Sequence, residues 1–221
     1  MIKYKIAGII LILAMLFSAY QIVATNPQAE KANANILAEA QVVETVPAEK
    51  IDALSETFEN SLYGCKVVGG PQKNYVEPGS PLVTGLATAL TTEKSSQMEK
   101  VQALYNYVSN NVNYTIFEDW RGAGEVLQTK RGDCTDKSIA LVSMLKNAGI
   151  ESYVVYGEKI DDYSHAWVSV KVDGKWLQLD PTAGNFNYVY NCLADENCKY
   201  NKYYLPIAGI FDENRVLKCE N

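Results

Sequence analysis

Residues 164–181 read SHAWVSVKVDGKWLQLDP. Asp-Gly at 173–174 suits the two-residue type I′ turn of a β-hairpin, in which both loop residues take positive φ. With those two as the loop, Val172 faces Lys175, Val170 faces Leu177, Val168 faces Leu179 and Trp167 faces Asp180. Val168, Val170, Val172, Leu177 and Leu179 then share one apolar face, and a slip of one residue would scatter them. The other face carries His165, Trp167, Lys171, Trp176, Gln178 and Asp180. His165 and Asp180 become diagonal neighbours, roughly 7–8 Å apart at the backbone, which lets a carboxylate reach an imidazole. His165 is the single histidine of the 221-residue chain, so imidazole chemistry has one address.

Upstream lies RGDCTDKS, residues 131–138. Asp133 is a good N-cap, because its carboxylate accepts backbone N–H groups of the first turn. Leu141, Val142, Leu145 and Ala148 repeat at helical spacing, and Gly149 supplies the stop. Cys134 is thus expected at the first helical position. A thiol there, with His165 and Asp180 paired on adjacent strands, is the constellation of a thiol acyl-transfer enzyme. The helix dipole contributes about 0.3–1 kcal/mol, less than the ~1.4 kcal/mol that one pKa unit requires, so an ion pair with His165 must do most of the activation. Asp136 adds opposing charge in the same turn. It is expected to cap the helix and point away, with Lys137 and Arg131 as offsets. Taken singly, each residue has a blander role, since a lone buried cysteine is usually a small apolar side chain. A zinc site of Cys134, His165 and Asp180 is disfavoured, because no close-spaced ligand pair is present.

The motifs GDCTDKS with Cys134, SHAWVSV with His165 and LDPTAG with Asp180 resemble the transglutaminase-like superfamily over about residues 82–185. The resemblance implies an α+β, papain-like fold in which a catalytic helix packs on an antiparallel sheet. It also implies Cys134 as nucleophile, His165 as base and acid, and Asp180 as the residue that orients the ring. The superfamily includes protein crosslinkers, peptidases, amidases and inactive members. Two functions follow. One is an enzyme acting on amide bonds of protein or peptide, by hydrolysis or acyl transfer through a thioester. The alternative is a non-catalytic peptide- or partner-binding module of the same fold. The calcium sites of the animal crosslinking enzymes are not recognisable, and the paired Cys-x-x-Cys zinc motif of the glycanase branch is missing. No metal and no cofactor are therefore expected.

Around this core, Lys3 and Lys5 precede an apolar run at 6–24. The run is longer than the about 7–15 residues of a signal-peptide core and close to the about 20 of a spanning helix. No good small-x-small cleavage site follows it. Residues 1–25 are therefore expected to be a membrane anchor, with a cleaved signal as the alternative. In both cases the lysines stay inside and the domain lies outside the cytoplasm. Residues 26–47 look like a stalk, and 48–221 form the domain. Net charge is -6 with no basic stripe, which excludes nucleic acid as a partner class. Export permits disulfides. Cys65 with Cys219 and Cys192 with Cys198 are the expected pairs, which leaves Cys134 over by its position. Ile51, Leu54, Phe58 and Leu62 share a helical face, and Ser96 with Glu99 forms a capping box. Trp167 and, more weakly, Trp120 are candidates for the substrate cleft. NFNYVYNC, residues 185–192, is expected to be an exposed sheet edge.

Overall fold

The computed structural model describes residues 46–157, 164–192 and 207–219. The anchor at 1–25, nearly all of the stalk and the pairing of Cys192 with Cys198 lie outside these residues. No described helix is long and apolar enough to cross a membrane.

The architecture is a six-stranded antiparallel sheet with helices on both faces. In chain order the elements are α1 (Ala48–Gly64), β1 (Cys65–Gly69), α2 (Pro81–Thr91), α3 (Gln97–Asn111), β2 (Asn113–Tyr114), α4 (Ala123–Thr129), β3 (Arg131–Gly132), α5 (Cys134–Asn147), β4 (Ser152–Gly157), β5 (Ala166–Val172), β6 (Lys175–Leu179), α6 (Phe186–Cys192), β7 (Ile207–Phe211) and β8 (Val216–Cys219). The sheet runs β1-β8-β7-β4-β5-β6, and β2 with β3 form a separate two-stranded ribbon. The ribbon is parallel, with Tyr114 beside Gly132, and so fixes the approach to α5.

The β5–β6 hairpin has the register its sequence dictates: Val168 faces Leu179, Val170 faces Leu177 and Val172 faces Lys175. Asp173 and Gly174 both take positive φ, at 49° and 84°, as a type I′ turn requires. The apolar hairpin face packs on α5, whose Ile139, Leu141, Val142 and Leu145 are fully buried in the same core. α5 is therefore a central element, with α2, α3 and α4 around it.

The second face of the sheet, which carries Trp167 and Trp176, is also covered. α1 lies across it, so that Phe58 meets Trp176 at 5.0 Å between ring centroids. The Trp176 amide donates to Ser55 Oγ at 2.9 Å, and Lys175 and Lys171 bridge to Asp52 and Glu59 of α1. Trp167, Val155, Ile210 and Leu217 complete this second core. The stripe Ile51, Leu54, Phe58 and Leu62 spans both cores, its first two residues packing on the one and its last two on the other. β1 pairs with β8 so that Cys65 lies opposite Cys219, and the two are joined in a disulfide.

One element differs in kind. NFNYVYNC is helical, not a sheet edge. Asn185 Oδ1 accepts the Tyr188 amide at 2.9 Å and so starts the turn. Phe186, Val189 and Tyr190 then fall at helical spacing and bury together. Aromatic richness suggested a strand, but the spacing of the buried positions is that of a helix.

Candidate active site

Cys134 opens α5, and its placement is local. The Asp133 side chain accepts the amides of Thr135 and Asp136 at 2.9 and 3.0 Å. The cap thus takes two of the first-turn donors and leaves the Cys134 amide outside it. Cys134 is a free, half-buried cysteine.

His165 sits just before β5, and its carbonyl still accepts the Gly157 amide at 3.0 Å, which anchors it to β4. Its Nε2 lies 2.7 Å from Asp180 Oδ2. The Cys134 side chain acts on the same imidazole and helps raise its pKa. With Nε2 engaged by Asp180, Nδ1 is the ring nitrogen left for sulfur. Burial pulls the imidazole pKa down. The hydrogen bonds and charges of Asp180 and Cys134 outweigh it, and the ring is pushed up to about 10. The His165 side chain keeps 18% of its surface exposed while Asp180 keeps 1%. The ring and the half-buried thiol are therefore partly open to solvent, while the carboxylate is not.

Asp180 is held on its other oxygen as well. Thr182 donates to Oδ1 through its amide at 2.8 Å and its hydroxyl at 2.6 Å. This is the Asx-type turn that Asp-Pro-Thr permits, a signal present in the sequence. The Tyr105 hydroxyl of α3 donates to the Asp180 carbonyl at 2.5 Å, across 75 residues, and no local pattern announces that contact.

The neighbours of Cys134 correct one expectation. Asp136 is buried, and its charge is met by Arg121, not by Arg131 or Lys137. The Arg121 amide donates to Oδ1 at 2.9 Å and its Nε to Oδ2 at 3.2 Å. Burial raises the Asp136 pKa, aided by Asp133, and the Arg121 contacts oppose the rise. Lys137 turns inward to the carbonyls of Val112 and Ser109 at 2.9 and 3.3 Å.

Trp167, a candidate for the substrate cleft, is buried in the structure. Its side chain is 0% exposed, because α1 covers that face of the sheet. Its indole N–H donates to Gln178 Oε1 at 2.6 Å, and its ring lies 6.2 Å from that of His165, nearly parallel. It backs the imidazole from inside the protein. Trp120 is 46% exposed and stacks on Phe211 at 5.4 Å. Among the described residues no group of three or more His, Cys, Asp and Glu side chains is placed to hold a metal ion.

Residues 84–181, which contain Cys134, His165 and Asp180, match the family model of the transglutaminase-like superfamily. This segment belongs to that superfamily. The kyphoscoliosis peptidases of Mus musculus and Homo sapiens are each 23% identical to the chain over 154 residues, covering 62% of it. The chain spans about a quarter of those relatives, 23% of their length. Among solved structures, Legionella pneumophila LapG is 16% identical, covers 77% of this chain and 86% of its own, and superposes with a TM-score of 0.44. A TGase is 21% identical and covers 70% of this chain and 42% of its own, with a TM-score of 0.43.

Proposed function

We propose that this chain is a thiol enzyme that cleaves or transfers amide groups of protein or peptide substrates, with Cys134 as nucleophile, His165 as base and acid, and Asp180 as orienting carboxylate. The observation that carries the reading is one imidazole 2.7 Å from a buried carboxylate, with its pKa raised by that carboxylate and by the thiol at a helix start. The fold in which those residues sit supports it.

In this mechanism the Cys134 proton passes to His165, and the sulfur attacks the substrate carbonyl. The carbonyl π pair moves onto oxygen, where the Cys134 amide, left outside the Asp133 cap, serves as a main-chain donor. Collapse of the tetrahedral intermediate breaks the C–N bond, and the imidazolium gives its proton to the leaving amine. A thioester on Cys134 remains. Water or a second amine attacks it, with His165 again taking the proton, and the thiol is released. Hydrolysis and acyl transfer share every residue and differ only in the acceptor.

The domain is further proposed to act outside the cytoplasm, tethered by residues 6–24. The apolar run and the Cys65–Cys219 disulfide support this, since such bonds persist in oxidising compartments.

The test uses wild type, Cys134→Ala and His165→Ala. Wild type should hydrolyse peptide amides or transfer glutamine-donor peptides to a labelled amine, and both variants should be inactive. At pH 6, iodoacetamide should label Cys134 in wild type at least about tenfold faster than in His165→Ala. Equal labelling in both, together with no turnover, would show a non-catalytic binding module.

A further inference from the structure

Two segments that carry the triad converge on the last turns of α3. From inside that helix, the Tyr105 hydroxyl donates to the Asp180 carbonyl at 2.5 Å and lies 2.9 Å from the Gly184 carbonyl. One turn further on, Ser109 Oγ donates to the Gly184 carbonyl at 2.6 Å. From the other side, Lys137 Nζ donates to the carbonyls of Val112 and Ser109. Lys137 lies one turn beyond Cys134 in α5 and is only 4% exposed. Tyr105 is fully buried.

Packing alone does not call for an ammonium at Lys137. A buried cation is costly unless it is hydrogen-bonded and compensated. Here the compensation is specific: the C-terminal carbonyls of α3, where a helix dipole favours a cation, and the charge of Asp180.

We infer that the C-terminal half of α3 is a bracket that holds Asp180 in register with Cys134, with Tyr105 and Lys137 as its positioning residues. The inference rests on the triad proposed above. Tyr105 fixes the backbone of Asp180, which keeps Oδ2 aimed at His165. Lys137 ties down the turn of α5 that carries Cys134 and places a second cation beside Asp180, in addition to His165. Neither residue touches the reacting atoms.

The single histidine makes the test direct, because the Cε1 proton of His165 is the only imidazole Cε1 signal in the 221-residue chain. The groups that act on it are Asp180 and Cys134, with Lys137 acting through Asp180. Asp136, on the same turn as Lys137, is engaged by Arg121. The titration is followed by NMR in a Cys134→Ser background, which removes the sulfur from the coupling and brings the midpoint below the wild-type value. Adding Tyr105→Phe loosens the Asp180 backbone and should lower the midpoint by roughly half a pH unit or more. Adding Lys137→Gln keeps a donor for the carbonyls but removes the charge. The site becomes more negative, and the midpoint should rise by roughly half a unit or more.

Opposite shifts in two variants cannot come from general loosening. Unchanged midpoints with a lower melting temperature would make both residues structural and overturn the inference, as would shifts of the same sign. Tyr105→Phe removes one oxygen from a buried ring and keeps its shape, so it decides the matter alone if Lys137→Gln does not fold. Failure of the triad itself reads differently: wild type and Cys134→Ser would then titrate alike, while the two bracket shifts would still be measured.

Discussion

His165 Nε2 and Asp180 Oδ2 lie 2.7 Å apart, on residues that the β5–β6 hairpin brings together across fifteen positions. The other Asp180 oxygen takes both donors of Thr182, so the carboxylate has no freedom to turn away. Asp180→Asn keeps the shape and can keep the Thr182 bonds if its amide oxygen takes the Oδ1 place. Its NH₂ then faces Nε2 and favours the tautomer with the proton on Nδ1, toward sulfur. Neutralising such a carboxylate in serine enzymes costs about 10⁴-fold. A thiolate–imidazolium pair needs less help, so kcat/KM should fall by roughly 10–10³-fold. The domain should still fold. Steady-state kinetics and a circular-dichroism melt check both halves.

Stability should decline in mildly alkaline solution. The folded pKa of His165 is raised to about 10, against an ordinary value of 6.5. A raised histidine stabilises the fold fully below the unfolded value and loses that contribution as pH climbs through the folded one. The window is therefore about 6.5 to 10. Within it this group adds a downward slope of at most about 1.4 kcal/mol per pH unit. Urea unfolding at several pH values should show that slope in wild type and a flatter one in His165→Asn.

The legible parts of this molecule are those fixed by short-range chemistry. A period of two and an Asp-Gly turn set the β5–β6 register, and Asp133 with a helical stripe set the start of α5. Both triad strands and the nucleophile follow from those two signals. The hidden parts are contacts across long stretches of chain. α1 shows a clear apolar stripe, but nothing in it says that the stripe covers the Trp167 and Trp176 face, and so Trp167 looked like a cleft residue. Arg121 reaches Asp136 from a loop, and Tyr105 reaches Asp180 from another helix. Phe186, Val189 and Tyr190 did carry a helical signal, but the aromatic composition around them points to strand.

The chain is expected to stay with the membrane fraction when cells are lysed and washed with high salt, and to leave it in detergent. Salt strips surface-bound proteins but leaves a spanning helix in place. N-terminal sequencing of the purified protein gives the complementary check. A start near residue 25 would identify a cleaved signal in place of an anchor.

Gly132 is a position where a methyl group has no room. A Cβ built there would sit 2.6 Å from the Asp136 Cβ. Gly132→Ala must therefore push back the turn that holds Cys134, or break the Asp136–Arg121 pair beneath it. Overpacking of this kind costs about 1–3 kcal/mol. Labelling of Cys134 at pH 6 should slow as well, because the sulfur moves relative to His165. Gly79, with nothing near its Cβ position, is the control, and Gly79→Ala should leave labelling unchanged.

The Cys65–Cys219 bond joins residues 154 apart in sequence and pins β1, and with it the end of α1, to β8. Chain-entropy arguments put the stabilisation from so long a loop near 5 kcal/mol, and measured values are commonly 2–4 kcal/mol. Cys65→Ala with Cys219→Ala should therefore lower the melting temperature strongly. The triad lies just before β5, just after β6 and at the start of α5, away from the β1–β8 edge in strand order. Labelling of Cys134 should then persist at temperatures where the variant is still folded. Non-reducing peptide mapping of wild type should recover Cys65 with Cys219 and Cys134 as a free thiol. A stable disulfide between Cys134 and any other cysteine would remove the nucleophile and with it the proposed chemistry.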